Sequence, residues 1–241
     1  MANPIEIPHN ERQSMLAAGE DILECYRVLR NTNDNIVGEV LRDQGTFYEW
    51  NHYPEGDVYD RENGSQYFYH AHPTELREGE HGHFHTFLRK RRMPPDARPV
   101  PYDGDVAWPA GDDALSHLIG ISMDPKGYPI SLFTTNRWVT GETWYAARDV
   151  CAMLDLYAID HARPSWPVNR WITGMLRLFR RDIIALIHER DKTVKAWQKK
   201  HPHTDVYEDR SLEITSRRKV SVEARMAELI EFRQSSVAQL A

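Results

Sequence analysis

Cysteine is nearly absent: Cys25 and Cys151 are the only two in 241 residues, far apart and without a CxxC partner. That excludes a disulfide scaffold and a thiolate zinc site, and fits a chain working in a reducing cytoplasm. No apolar run approaches the ~18–20 residues that a membrane-spanning helix needs. Met1–His9 lacks a basic stretch followed by an apolar one, so neither a membrane partner nor a secretory signal is expected. A basic surplus is missing too. Lys and Arg number 30 against 36 Asp and Glu, a formal charge of −6, which disfavours general nucleic-acid binding. No P-loop, GxGxxG strand–helix unit, nucleophile elbow or HExxH helix is present, so the common signatures of phosphoryl transfer, dinucleotide binding, serine hydrolysis and zinc proteolysis are out.

What is there has a clear order. Residues 11–30 form an amphipathic helical pattern, with Met15, Leu16, Ile22, Leu23, Tyr26 and Leu29 on one stripe. A short helix over 35–42 follows. From Gly45 the chain turns to aromatic and β-branched residues broken by Gly, Pro, Asn and Asp. That pattern predicts strands at 46–52, 66–72, 82–89, 116–122 and 129–136. A proline-rich connection, 93–109, is expected to be a surface loop able to serve as a lid. Helical spacing returns after Thr143. It predicts helices over 144–157, over 169–199 with Trp171, Met175, Leu178, Phe179, Ile183, Leu186 and Ile187 buried, and from 221 with Met226, Leu229, Ile230 and Val237 inward. The expectation is therefore one α+β domain over 1–241: 1–44 helical, 45–143 mainly an antiparallel sheet of roughly five strands, 144–241 helical.

Five of the twelve histidines crowd into positions 70–85. Strand side chains alternate between faces, so His70 and His72 share a face with Phe68, and His83 and His85 share one with Phe87. If the strands pair so that opposed residue numbers sum to 155, His72 faces His83, His70 faces His85, and Phe68 faces Phe87. Four imidazoles then form a patch on one face. Opposed Cβ atoms lie ~4.5–5.5 Å apart, and such rings can converge on a metal at about 2.0–2.1 Å per M–N bond. Four cations would repel, and four buried neutral rings would each need a partner; a metal resolves both by binding neutral imidazole.

Around this block stand further candidates. Glu75 and Glu80 lie in the connecting turn with His81, and His52 sits beside Asp57, Asp60 and Glu62; of these, His52, Glu75, Glu80 and His81 are the additional ligand or orienting candidates. His117 alternates with Ile119 and Ile121, a weaker ligand candidate. Tyr59, Arg89 and Arg137 are candidates for substrate binding, and Arg89-Lys90-Arg91-Arg92 is a basic run able to meet an anion.

Three resemblances bear on this block. HxH followed by a downstream acid also occurs in cupin metal sites. His81-Gly82-His83-Phe84-His85-Thr86-Phe87 resembles the histidine-triad motif of nucleotide hydrolases and transferases over seven residues, which implies His83 as nucleophile toward an α-phosphate. The longer string from His52-Tyr53-Pro54-Glu55-Gly56-Asp57-Val58-Tyr59-Asp60 through Glu80-His81-Gly82-His83-Phe84-His85 to Arg89 resembles an uncharacterised bacterial domain family, which brings no activity with it.

The residues point first to a metal-dependent enzyme acting on a small molecule, with His70, His72, His83 and His85 around a divalent transition metal. Iron and substrate oxidation are favoured over zinc, copper or nickel, because the surroundings are aromatic and no general base accompanies the site. The alternatives are histidine-triad-like nucleotide chemistry and a non-catalytic metal-binding or sensing module.

Overall fold

The computed structural model describes residues 7–73 and 78–238. Two helices open the chain, α1 (His9–Arg30) and α2 (Ile36–Leu41). Asn35 caps α2: its side-chain oxygen accepts from the N–H groups of Val37 and Gly38. Strands β1 (Tyr53–Asp60), β2 (Ser65–His70), β3 (Gly82–Arg89), β4 (Leu115–Met123) and β5 (Pro129–Thr135) follow. Helices α3 (Arg137–Thr140), α4 (Ala147–Met153), α5 (Trp166–Leu178) and α6 (Arg180–Lys200) precede β6 (Ile214–Lys219) and α7 (Val222–Ala238). The sheet is antiparallel throughout, in the order β1-β2-β3-β4-β5-β6. No described helix is long and apolar enough to cross a membrane.

One face of the sheet carries the main core. Tyr67, Tyr69, Phe84, Leu88, Ile119, Ile121 and Leu132 pack with the buried stripes of α1, α5 and α6. Phe84 meets Trp171 at 5.4 Å between ring centroids, and Tyr67 donates its hydroxyl to Asn169 Oδ1 at 2.7 Å. Each large apolar side chain buried this way contributes about 1.5–3 kcal/mol. The histidines are left on the opposite face.

Several expected elements take a different form. Residues 46–52 are not a strand: Tyr48 and Trp50 are exposed, Trp50 has φ +71°, and pairing starts at Tyr53. The expected helix over 144–157 is shorter, because Tyr145 makes an extended bridge to Pro99, leaving α4 and a 3-10 turn at Leu154–Leu156. The stretch 169–199 is two helices. Its apolar stripe continues across the break, but Phe179, at φ −103° and ψ 19°, ends α5 and starts α6. Ile230 is 44% exposed rather than inward. Strand β6, with its polar run Ile-Thr-Ser-Arg-Arg-Lys, is the sixth strand where five were expected; only its Thr215 and Ser216 are buried. The proline-rich loop lies against a second apolar cluster rather than over the histidines in its described contacts. Tyr102 stacks on Trp108 at 3.9 Å and bonds Asp205, and Val100 N–H bonds Trp144 O.

Candidate metal centre

The histidines do share one face, but the register differs from the expected one by two residues. His70 faces His83, Phe68 faces His85, and Gln66 faces Phe87. A slip of two leaves every side chain on its expected face, whereas a slip of one would have reversed them all. β2 stops at His70 and β3 starts at Gly82, so eleven residues separate the strands and no two-residue turn sets the register. Ala71 O is taken by Trp50 N–H, which draws the chain off the sheet just before His72.

His72 nevertheless returns to the cluster. Its ring lies 5.0 Å from His70 and 5.1 Å from His83, and Trp50 packs against it edge-on at 4.2 Å. One ligand nitrogen from each of His70, His72 and His83 lies within 4.8 Å of the other two, so the three could hold a metal ion. His70 and His72 are half-buried; His83 is 1% exposed.

The tautomer of His83 follows from Glu80. The buried carboxylate Oε1 is 2.6 Å from His83 Nδ1, so Nδ1–H donates to it and the Nε2 lone pair is left for a ligand. That Nε2 lies 2.6 Å from His70 Nε2. Two metal-bound nitrogens stand about 2.9 Å apart at a right angle and about 3.3 Å apart at a tetrahedral angle, given M–N bonds of about 2.0–2.1 Å. The pair therefore needs to open by well under 1 Å. Arg217 Nη2, 3.3 Å from the other Glu80 oxygen, balances the charge of that carboxylate, and Ser131 and Ser122 hydroxyls steady the guanidinium.

His85 stands one step deeper. It is 1% exposed, its ring is 4.9 Å from that of His83, and its Nδ1 is 3.0 Å from His117 Nε2. His117 is fully buried, and that burial, with Arg190 adding to it, lowers its pKa to about 3, so it is neutral. Glu142 Oε2 accepts the His117 backbone N–H at 2.6 Å; burial raises the Glu142 pKa to about 7. Phe133 packs edge-on against both His83 and His85 at 5.2 and 5.8 Å, its ring lying where a Cβ on Gly120 would sit.

The remaining candidates fall in different places. His52 stacks on Phe68 at 3.6 Å, bonds Asp57 at 2.9 Å and stands 5.8 Å from His70, beside the cluster. His81 departs from the alternation. Its Nδ1 is 2.7 Å from the Tyr69 hydroxyl, on the core side of the sheet, and burial lowers its pKa. The HxHxH string thus does not put three imidazoles together. Glu75 lies outside the described residues. Asp60 bonds the backbone of its own turn and Asp160. Tyr59 and Arg89 meet each other at the far end of the same sheet. Arg137 is buried in an ion pair with Glu208 and a bond to Glu142 O, a structural clamp apart from the histidines. Arg217 and Phe133 had no sequence signal tying them to the block, since each comes from a segment remote from it; Trp50 belongs to the aromatic-rich stretch just before it, which composition alone marks as a wall of the site.

The family model for a domain of unknown function, DUF6969, matches residues 16–220. No curated protein and no solved structure matches the chain. The matched span takes in the whole sheet and every histidine of the cluster; the chain belongs to the DUF6969 family.

Proposed function

We propose that the protein is a metal-dependent enzyme whose mononuclear centre is held by His70, His72 and His83. The observation that carries this reading is the convergence of the three ligand nitrogens with the Nδ1 of His83 already engaged by buried Glu80. A carboxylate behind a metal-binding histidine sets its tautomer and raises its basicity, and here it does so on a ring whose Nε2 faces His70.

Three neutral imidazoles suit iron, zinc, copper or nickel. Three protein ligands leave coordination positions for a small-molecule substrate, and the metal would supply Lewis-acid or redox activation there. Iron and substrate oxidation remain the favoured pairing, because Phe68, Phe133 and Trp50 line the histidines, and the described carboxylate nearest to His83, Glu80, is held between His83 and Arg217 rather than poised as a base. His85, turned toward His117, is assigned to supporting His83 rather than to binding the ion. Two other readings gain less. The histidine-triad reading needs His83 as a free nucleophile, yet both its nitrogens face partners. A closed storage or sensing site needs a fourth protein ligand.

The test is nitric oxide binding to protein reloaded with ferrous iron, read by electron paramagnetic resonance. An open three-histidine centre gives a high-spin iron–nitrosyl signal that His83→Ala abolishes. Loaded iron that takes up no nitric oxide would mean a closed site and would remove the enzymatic reading.

A further inference from the structure

The end of the sheet remote from the histidines carries a cavity. The β1–β2 turn, 61–64, lies against the basic 3-10 turn Lys90–Arg92. Arg89 N–H bonds Gly64 O at 2.8 Å, and a Cβ on Gly64, at φ +65°, would stand 2.8 Å from the Arg92 Cβ. Only glycine allows this approach, which brings Arg61 beside Arg89 and Arg91. Asp112, from the 3-10 turn Gly111–Asp113, adds a third wall. Between them opens a cavity of about 510 Å³ lined by Tyr59, Asp60, Arg61, Arg89, Arg91 and Asp112, with Gly64 and Ser65.

Its charges do not cancel. Asp60 is buried, and its carboxylate accepts from the N–H groups of Glu62, Asn63 and Asp160 and from the Asn63 amide. Burial alone would raise its pKa, but these bonds outweigh that and hold it below the usual range; the charge is engaged inside the turn. Arg89 is held by two uncharged groups, Gln66 Oε1 and the Tyr59 hydroxyl. Arg61 and Arg91 are exposed and have no ion pair or hydrogen bond among the described residues. Asp60 and Asp112 set two carboxylates against three guanidiniums, so the lining keeps one net positive charge. Arg89 also covers one side of the Tyr59 ring at 4.9 Å, while the residue as a whole remains 41% exposed.

We propose that this cavity binds a phosphate monoester carried on a flat ring. Guanidinium forks match phosphate oxygens two at a time, and a monoester carries about −1.5 to −2 at neutral pH, the charge this wall lacks. The exposed part of the Tyr59 ring offers a stacking surface. Gln66 stands four positions before His70 on β2, roughly 13 Å along the strand, so the site stands whether or not the histidines hold a metal.

Calorimetric titration of the full-length protein at low salt, with inorganic phosphate, phenyl phosphate and phenol, tests the assignment. Arg61→Ala/Arg91→Ala, both at exposed positions, should fold with an unchanged melting temperature and weaken both phosphates by about tenfold or more, as expected for lost charge-assisted bonds. Tyr59→Ala, which also frees Arg89 from the Tyr59 hydroxyl, should weaken phenyl phosphate more than inorganic phosphate, by roughly two- to tenfold. Phenol alone should not bind measurably. Wild-type protein that binds neither phosphate, or that binds them no better than the double arginine variant, overturns the proposal; equal binding of the two phosphates, indifferent to Tyr59→Ala, overturns its ring-stacking half.

Discussion

Replacing Glu80 by Gln and by Ala separates the two things its carboxylate does for His83. One oxygen accepts Nδ1–H at 2.6 Å, which fixes the tautomer; the charge, balanced by Arg217 at 3.3 Å, makes the imidazole a stronger donor. Glu80→Gln retains shape and an acceptor oxygen and loses the charge. Glu80→Ala loses both. Removing the partner behind a metal-binding histidine costs about 10–100-fold in metal affinity, which is about 1.4–2.7 kcal/mol. The Gln variant belongs at the lower end and the Ala variant at the upper. Because His83 is 1% exposed, the Ala variant also strands a buried N–H, at about 1–3 kcal/mol of folding stability. Competition between the protein and a chromophoric chelator for zinc or cobalt gives the affinities, and urea unfolding of the metal-free protein gives the stability. If both variants bind metal like the wild type while His83→Ala binds none, Glu80 does not tune the site and the tautomer argument is wrong.

His85→Ala should retain the metal with affinity within about tenfold of wild type, whereas His70→Ala and His72→Ala should lose it; equilibrium dialysis against zinc distinguishes these. Glu142 gives a pH signature. Its folded pKa of about 7 lies above the ~4.3 of an unfolded glutamate, so the folded chain binds the extra proton between those values. Stability from this group is present below about pH 4.3 and lost as pH rises through about 7, up to roughly 3–4 kcal/mol in all. Glu142→Gln should lose that slope, so the slope should appear in the difference between the wild-type and variant stabilities, and parallel pH dependences would contradict it. Trp171, fully buried against Phe84 and bonded to the Tyr26 hydroxyl, should cost about 3–5 kcal/mol as Trp171→Ala, measured by denaturant unfolding.

The face shared by His70, His83 and His85 was legible because a strand alternates with a period of two, whatever its register. The register itself was not legible. It depends on where the chain leaves the sheet, and that exit is set by the Trp50–Ala71 bond across a segment with no strand pairing of its own. His72 joined the cluster from outside the strand that was expected to carry it. His81 lies just before β3, as its place in the connecting turn implied, but the capture of its ring by the Tyr69 hydroxyl on the core side was not legible. Glu80 was recognisable as an acid near the block, but its pairing with Arg217 was not, since the arginine arrives on a polar edge strand 137 residues later. The break at Phe179 left no mark either: the apolar stripe runs through it, and only the local backbone changes.

Elemental analysis of the freshly purified protein, beside His70→Ala, His72→Ala and His83→Ala, tests the central claim most directly. The convergent nitrogens predict about one transition-metal ion per chain, removed by chelation and missing from each variant. Wild-type protein that carries no transition metal, and takes up none when offered ferrous iron, zinc, copper or nickel, would contradict it.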